Sequence, residues 1–200
     1  MRDLGYPAPS WGSVLELGCG SGRVTRHFSD VAGATQGEFW GVDINESSII
    51  WCQQHLTPPF KFAPCSTLPH LPFEDGQFGF VYATSVFSHI SEMATSWLLE
   101  LRRTLRPGGH LFITIMDQSY IRRVQESSLD HWTTQLVRDR ADDLQQLGIT
   151  ASMLSIGRAS KDAMVYYDRS YVLETWGQFL EIVDVREDAF DFQTAIVLRK

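Results

Sequence analysis

A short apolar run, Val14–Leu17, is followed directly by three glycines in five residues, Gly18 to Gly22. Glycine has no Cβ, so such a loop can turn tightly and let a ligand lie against its backbone. The stretch after the loop, GRVTRHFSDVAG, has helical spacing of its apolar residues. A strand that turns through glycines into a helix presents free N–H groups and a positive dipole end to a bound molecule. The stretch therefore predicts a ligand site at the tip of the first strand.

Strand and helix patterns alternate from this loop to residue 116. Strand patterns occur at EFWGVDI, FKFAP, FGFVYATSVF and HLFITIM, and helical patterns occur at NESSIIWCQQHL and SEMATSWLLELRRTL. Such alternation is typical of a doubly wound parallel sheet. The two final strands, EIVDVRED and FQTAIVLRK, are too close together for a parallel crossover, so they must form an antiparallel hairpin. We predict an α/β, Rossmann-like sheet with helices on both faces.

An aspartate, Asp43, ends the second strand about twenty residues after the loop, as a ribose-binding acid does. A carboxylate there can accept hydrogen bonds from both ribose hydroxyls. Loop, helix and acid together predict a nucleoside site; the alternative is a structural turn with a surface aspartate. The loop reads G-x-G-x-G, whereas dinucleotide sites read G-x-G-x-x-G. An acid two residues before the first glycine, Glu16, suits a ligand with an ammonium group better than a pyrophosphate.

Four stretches resemble the successive motifs of class I S-adenosylmethionine-dependent methyltransferases: VLELGCGSGRV, FWGVDI, LPFEDGQFGFVYATSVFSHI and LRRTLRPGGHLFITI. The similarity spans residues 13–116, and the closing hairpin also fits that fold. The resemblance implies seven strands, mostly parallel with the last one antiparallel. It also implies S-adenosylmethionine as cofactor and methyl transfer as activity. A looser similarity, through SVFSHI and the C-terminal stretches, is to bacterial methyltransferases associated with glycan or secondary-metabolite modification.

The resemblance implies roles for residues around the cofactor. Glu16 would face its methionine part, as would the backbone of the glycine loop. Asp43 would hold the ribose, Ile44 would pack on the adenine, and Ser85 would lie near the transferable methyl. The full set is Glu16, Gly18, Cys19, Gly20, Gly22, Asp43, Ile44, Ser66, Thr67 and Ser85.

Two positions depart from the family pattern. Many relatives have an aspartate after the third strand that binds the adenine amino group. This chain reads PCSTLPH there, so Cys65, Ser66 or Thr67, or a backbone carbonyl, must serve instead. Relatives also favour an aspartate where this chain has Gly79, and the loss of that acid bears on fold stability more than on cofactor binding.

Candidates for a general base follow the fourth and fifth strands. His89 is the first candidate, because histidine titrates near neutral pH; the alternative is a histidine that caps the next helix or packs beside Phe87. Asp117 is the second candidate. His131 is a third, provided that its segment closes over the site. A base assists an oxygen nucleophile more than a neutral amine.

Residues 1–200 are interpreted as a single domain with a helical insertion at residues 117–166. The alternation of strands and helices stops in that segment, and we expect it to act as a lid or an acceptor-site element. Relatives carry a helix before the first strand that covers the active site, whereas about a dozen residues precede it here. Either the chain is a fragment of a longer protein or the insertion provides the cover.

Net charge and composition limit the classes of partner and ligand that we expect for this chain. A net charge of −7 and a pI near 5.3 speak against a general nucleic-acid binder, as does the lack of an N-P-P-[YF] motif after the fourth strand. The three cysteines form no C-x-x-C pair, so neither a zinc site nor a disulfide framework is indicated, and we predict no metal. No apolar run approaches the roughly 20 residues of a membrane span. We expect a cytoplasmic protein.

The leading hypothesis is a methyltransferase that acts on a small-molecule or glycan acceptor, at an oxygen, by in-line displacement. The alternative is a non-catalytic S-adenosylmethionine-binding scaffold that supports a partner such as a glycosyltransferase; the altered PCSTLPH and Gly79 positions favour it. The glycine spacing and the RPGG turn speak against a nicotinamide-dependent oxidoreductase.

Overall fold

A computed structural model describes residues 5–34, 36–128, 131–157 and 163–200. The strands are β1 (Val14–Leu17), β2 (Phe39–Asp43), β3 (Phe60–Pro64), β4 (Phe78–Ala83), β5 (Leu105–Ile115), β6 (Met153–Ile156), β7 (Met164–Tyr167), β8 (Glu181–Phe190) and β9 (Gln193–Arg199). The helices are α1 (Ser29–Ala34), α2 (Glu46–His55), α3 (Ala94–Thr104), α4 (Gln118–Glu126), α5 (Trp132–Asp139), α6 (Ala141–Leu144) and α7 (Arg169–Trp176).

Seven strands form one sheet in the order β3-β2-β1-β4-β5-β9-β8, and β6 and β7 form a separate antiparallel pair. The predicted α/β class, a mostly parallel seven-stranded sheet flanked by helices, is confirmed. The chain divides into two compact units. The first contains the residues up to Ala83, Thr95–Phe112 and Arg199–Lys200; the second contains Thr84–Ala94 and Ile113–Leu198. Within the described residues, no helix combines the length and the apolar character needed to cross a membrane.

Strand β1 is the centre of the first unit. It pairs in parallel with β2 on one side and β4 on the other, and all four of its residues are buried. Parallel strands buried on both faces consist of nearly continuous apolar residues, and β1 departs from this only at Glu16. The register places Glu16 opposite Gly41 of β2 and Tyr82 of β4.

Gly79 occupies the position at which relatives favour an aspartate. A Cβ at Gly79 would lie 1.8 Å from the carbonyl oxygen of Trp11 and 2.9 Å from Nε of Arg106. The Tyr6 hydroxyl donates to the Gly79 carbonyl at 2.8 Å, and the Arg106 guanidinium donates to the Ser10 carbonyl at 2.7 Å. The segment before β1 therefore fills the space of the missing acid and supplies an acceptor for Arg106.

Hydrogen bonds of Lys200, the residue after β9, show how the last strand runs relative to β5. The Gly108 N–H donates to the Lys200 carbonyl at 2.7 Å, and the Lys200 N–H donates to the Gly109 carbonyl at 3.0 Å. Gly108 has a φ of +76°. Two residues opposite one, with a left-handed glycine first, form a bulge of the kind found in antiparallel pairs. The glycines of RPGG thus shape a bulge within β5, which begins at Leu105 directly after α3.

Two helix starts in the first unit differ in how well the sequence predicted them. The stretch GRVTRHFSDVAG forms a 3-10 turn at Thr25–Phe28 and then α1, which continues past Gly33 to Ala34. Helix α2 forms in the predicted helical stretch NESSIIWCQQHL; it begins after Asn45, whose side chain accepts a hydrogen bond from the Ser48 N–H at 3.1 Å.

The segment 117–166, in the second unit, contains strands as well as helices. Its described part includes α4, α5 and α6 and the two-stranded sheet of β6 and β7. Residues 129–130 and 158–162 of the predicted insertion lie outside the described residues. The single-domain interpretation and the lid role stay predictions. Nine buried residues of the segment form an apolar cluster together with Met116: Tyr120, Ile121, Val124, Val137, Leu144, Leu147, Ile156, Met164 and Tyr166.

Candidate functional site

The glycine loop at the carboxyl end of β1 combines strained backbone with open space. Gly18, Gly20 and Gly22 have φ angles of +76°, +51° and +70°, a region that residues with a Cβ rarely adopt. A Cβ on Gly22 would lie 2.4 Å from a methyl of Leu56, which would have to move, and the left-handed φ itself favours glycine there. A Cβ on Gly20 would meet no atom within 4 Å. The backbone at Gly20 is therefore open to a ligand.

Asp43 ties this loop to the end of β2. Its Oδ2 accepts a hydrogen bond from the Gly20 N–H at 2.7 Å, and its Oδ1 accepts one from the Asn45 N–H at 2.8 Å. A carboxylate oxygen has two lone pairs, so each oxygen retains one for a ribose hydroxyl. The structure thus brings together the predicted loop and the predicted ribose acid.

Glu16 is a buried carboxyl next to this loop, with only 1% of its surface exposed. Its Oε2 accepts hydrogen bonds from the hydroxyls of Thr25 and Tyr82, the latter at 2.7 Å. Burial raises the pKa of Glu16 from 4.5 to about 7, the charge of Asp43 raises it further, and the two hydrogen bonds oppose the rise. The sequence did not predict Thr25 and Tyr82 as partners, because only the register of β1 against β4 places Tyr82 opposite Glu16.

The predicted adenine side lies at the ends of β2 and β3. These strands pair with Asp43 opposite Pro64, so Ile44 and Cys65 follow neighbouring strand ends. Ile44 is 62% exposed, and Leu68, which the sequence did not predict as a site residue, is 60% exposed. Ile44 therefore presents an exposed apolar side chain directly after the end of β2, where the adenine is predicted.

Three other predicted cofactor residues make hydrogen bonds within the chain. The Cys19 thiol is buried and donates to the Gly20 carbonyl at 3.6 Å, and the Cys19 backbone is bonded to Val42 and Gly22. The Ser66 hydroxyl accepts from the Leu68 N–H at 3.2 Å. The Thr67 carbonyl accepts from the indole N–H of Trp97 at 3.3 Å. Ser66 and Thr67 are both exposed.

Ser85, in the second unit, follows β4 and has a φ of +55°. Its N–H donates to the Thr114 hydroxyl at 2.9 Å, and its hydroxyl accepts from the side-chain amide of Gln193. The sequence did not predict either partner.

His89 lies at the end of a 3-10 turn, Phe87–His89, and its ring is exposed. Its Nδ1 lies 3.0 Å from the Ala163 carbonyl oxygen. A carbonyl only accepts, so Nδ1 carries the hydrogen and Nε2 of the neutral ring carries a lone pair. The buried Tyr167 hydroxyl donates to the carbonyls of Phe87 and Ile90 and braces this turn.

The other two base candidates are helix caps. Asp117 is fully buried, and its Oδ1 accepts from the N–H groups of Ser119 and Tyr120 at the start of α4. Its Oδ2 accepts from the Arg169 guanidinium at 2.6 Å. His131 caps α5, where its Nδ1 accepts from the Thr133 N–H at 3.4 Å.

A family model described as "Methyltransferase domain" matches residues 15–113, which include the glycine loop and Asp43. The chain belongs to the class I S-adenosylmethionine-dependent methyltransferases. Among curated methyltransferases, the phthiotriol/phenolphthiotriol dimycocerosates methyltransferase 1 of Mycobacterium ulcerans is 29% identical over 159 residues, 78% of this chain and 55% of that protein. The ubiquinone/menaquinone biosynthesis C-methyltransferase of Burkholderia mallei is 32% identical over 51% of this chain and 42% of that protein. The chain thus spans about half the length of these relatives.

Solved methyltransferase structures share the fold. One from Methanosarcina mazei matches with a TM-score of 0.68 at 17% identity, covering 100% of this chain and 96% of that chain. The 1,6-didemethyltoxoflavin-N1-methyltransferase of Burkholderia thailandensis, solved with its substrate and S-adenosylhomocysteine, matches with a TM-score of 0.64 at 15% identity, covering 100% of this chain and 73% of that chain.

S-Adenosylmethionine is the cofactor of this methyltransferase domain, as predicted. The residues fit it: the open backbone at Gly20 accommodates a ligand, and Asp43 has lone pairs for ribose hydroxyls. The raised pKa of Glu16 means that a neighbouring cation would convert it to a carboxylate. The roles of the individual side chains stay predictions.

Proposed function

We propose that this chain transfers a methyl group from S-adenosylmethionine to an oxygen of a small-molecule or glycan acceptor. The observation that carries the proposal is the contact between the Gly20 N–H and Asp43, because it joins the glycine loop and the strand-end acid into one nucleoside site. The family match over residues 15–113 supports methyl transfer, the coarser part of the proposal.

The chain's own part in cofactor binding follows from the first unit. Asp43 accepts the ribose hydroxyls, and the exposed Ile44 packs on the adenine. Glu16 becomes ionised when a cationic group lies beside it. Bound in this way, the cofactor supplies a methyl group on a sulfonium, which is an excellent leaving group. The protein has therefore to align the acceptor and exclude water.

His89 is the general base in this proposal. Its Nδ1–H is held by the Ala163 carbonyl, so the Nε2 lone pair is free to take the acceptor's hydroxyl proton. The acceptor oxygen that loses the proton would form the new bond to the methyl carbon, while the bond from that carbon to the cofactor's sulfur breaks and S-adenosylhomocysteine leaves. Asp117 stays the second candidate for the base; three donors within the chain already occupy its two oxygens.

A carbon acceptor is the second candidate, favoured by the name of one relative, a C-methyltransferase. Proton removal by His89 serves either outcome, since a phenol that loses its proton also becomes nucleophilic at ring carbon. The atom that carries the new methyl group in the product distinguishes the oxygen acceptor from the carbon acceptor. Mass spectrometry and NMR of the product would place the methyl on oxygen or on carbon.

The test is a turnover screen with nucleotide sugars, lipid-linked sugars and small phenols, in which formation of S-adenosylhomocysteine is measured. His89→Ala should slow turnover at least tenfold and leave cofactor affinity unchanged. His55→Ala is the matched control, because His55 is also exposed and its Nδ1 also lies near a backbone carbonyl, that of Trp51, at 2.8 Å. Turnover that is unaffected by His89→Ala would show that His89 is not the general base.

The scaffold alternative predicts a different result. A non-catalytic domain would bind S-adenosylhomocysteine, give no turnover with any acceptor, and raise the activity of a partner such as a glycosyltransferase. Binding without turnover across the whole acceptor panel would therefore favour the scaffold.

A further inference from the structure

The two edges of the seven-stranded sheet differ in how well they are protected against the addition of another strand. At the β3 edge, the Thr57 hydroxyl donates to the Phe60 carbonyl at 2.8 Å, and the Gln53 side-chain amide donates to the Phe62 carbonyl at 2.9 Å. Alternate residues of a strand turn their backbone groups to the same side, so Pro64 faces outward with them and has no N–H to offer. Side chains and a proline thus cover the edge that β3 presents.

Among the residues that the structure describes, strand β8 of the second unit has no such cover. It stands at the other end of the strand order and pairs with β9 alone in the described sheet. It is ten residues long, twice the length of β3. Across the described residues 182–185, the backbone forms hydrogen bonds within the sheet and none to a side chain or to another segment. A long, bare edge strand is a ready template for the addition of another strand.

Symmetry limits the ways in which a second copy of this chain could add to β8. In a two-fold symmetric pair both copies use the same edge, so the strand pairs antiparallel about one residue, which lies opposite its own copy. A centre at Asp184, or at any residue of 186–188, places like charges directly opposite each other, which destabilises strand pairing. Centres at the two residues before Asp184 leave its charge opposite an apolar residue. A centre at Val185 places valine on valine, and Asp184 of each copy opposite Arg186 of the other.

The charges that this centre requires already lie side by side on one strand. Asp184 and Arg186 are two residues apart, so their side chains lie on the same face of the sheet, where they form an ion pair. Both stay partly exposed, with 26% and 41% of their side-chain surfaces accessible. Pairing about Val185 would place each arginine between two aspartates without breaking the existing bond. We propose that β8 is a self-association surface, to which a second copy of this chain adds its own β8 in antiparallel direction about Val185.

The test is sedimentation equilibrium across a wide range of protein concentration. The mass of the wild type should rise toward about 45 kDa, twice the chain mass of 22.7 kDa. Asp184→Arg and Arg186→Asp each place like charges opposite one another at two symmetric positions, and each should raise the Kd of the dimer about tenfold. The double variant restores opposite charges and should restore the dimer. Arg140→Asp is the matched control, because Arg140 also bonds to an aspartate of its own chain, Asp143, at 2.5 Å; it should leave the Kd unchanged.

A cysteine at the centre of the pair tests the register. Opposite residues of an antiparallel pair have Cα atoms about 4.5–5.5 Å apart, a separation that a disulfide spans. Val185→Cys should therefore cross-link two chains under mild oxidation, and the mass should double without reductant. Val183→Cys is the matched control, because Val183 would lie opposite Glu187 and far from its own copy. A wild type that stays monomeric at every concentration, a dimer that both charge reversals leave intact, or a cross-link that forms equally well from Val183→Cys would overturn the proposal.

Discussion

Glu16→Gln should stabilise the protein without cofactor at alkaline pH. Folding raises the pKa of Glu16 from 4.5 to about 7, chiefly by burial. A carboxyl with a raised pKa contributes stability below pH 4.5, and that contribution is lost as the pH rises through 7. The difference between these two pKa values corresponds to about 3 kcal/mol at pH 8.5, where the folded protein must ionise a buried acid. Glutamine stays neutral and still accepts from Thr25 and Tyr82.

The assay is urea unfolding of wild type and variant at pH 5 and pH 8.5. The free energy of unfolding of the variant should exceed that of wild type by about 3 kcal/mol at pH 8.5 and by about 1 kcal/mol at pH 5. At pH 5 Glu16 is neutral in the folded protein and only partly ionised in the unfolded chain, whereas at pH 8.5 the whole difference between the two pKa values contributes. The corresponding rise in Tm at pH 8.5 is roughly 6–12 °C for a chain of this size. Cofactor affinity should fall, since glutamine cannot become anionic beside a cation.

Glu100→Gln is the control, because its expected change in stability has the opposite sign. Burial raises the pKa of Glu100, but hydrogen bonds from Arg103 and the Leu71 N–H outweigh burial, and the pKa is lowered overall. This acid contributes stability above its unfolded pKa, so Glu100→Gln should destabilise the protein at pH 8.5. A Glu16→Gln variant that is less stable than wild type at pH 8.5, or equally affected at both pH values, would refute the reasoning.

Three further outcomes are expected. Gly79→Ala should destabilise the fold by several kcal/mol, because its Cβ would lie 1.8 Å from the Trp11 carbonyl oxygen; a denaturation midpoint equal to that of wild type would contradict the packing. Tyr167→Phe should slow turnover severalfold with Kd for S-adenosylhomocysteine unchanged, since it removes the brace on the turn that carries His89; equal turnover would show that the turn needs no brace. Asp117→Asn should lower Tm, as it weakens the bond to Arg169, and activity that falls while Tm holds would restore Asp117 as a base.

The fold was predictable because the local patterns for strands, helices and connections all agree with one α/β sheet. Apolar runs predicted β1 and β4, the helical pattern of NESSIIWCQQHL predicted α2, and the short final connection predicted the hairpin. The boundary between α3 and β5 was predicted wrongly. Leu105 fits the helical stripe of α3, yet it is the first residue of β5, and the RPGG glycines lie in a bulge that depends on pairing with Lys200.

The sequence predicted those parts of the site that belong to local sequence motifs. The loop and Asp43 are close in chain distance, and parallel strands bring their ends to one edge. The partners of Glu16 and Ser85 come from residues 66 and 108 positions away, Tyr82 and Gln193, and no pattern links them. The capping roles of Asp117 and His131 also had no distinct signal, because a cap and a base draw on the same residue types.

The most direct test of the central claim is calorimetric titration of the wild-type chain and Asp43→Ala with S-adenosylhomocysteine. We expect the wild type to bind one equivalent with a micromolar Kd. Loss of two ribose hydrogen bonds to a carboxylate should weaken the variant about a hundredfold, with a melting curve confirming that it is folded. No heat from the wild type, or equal affinity of a folded variant, would contradict a nucleoside site built from the glycine loop and Asp43.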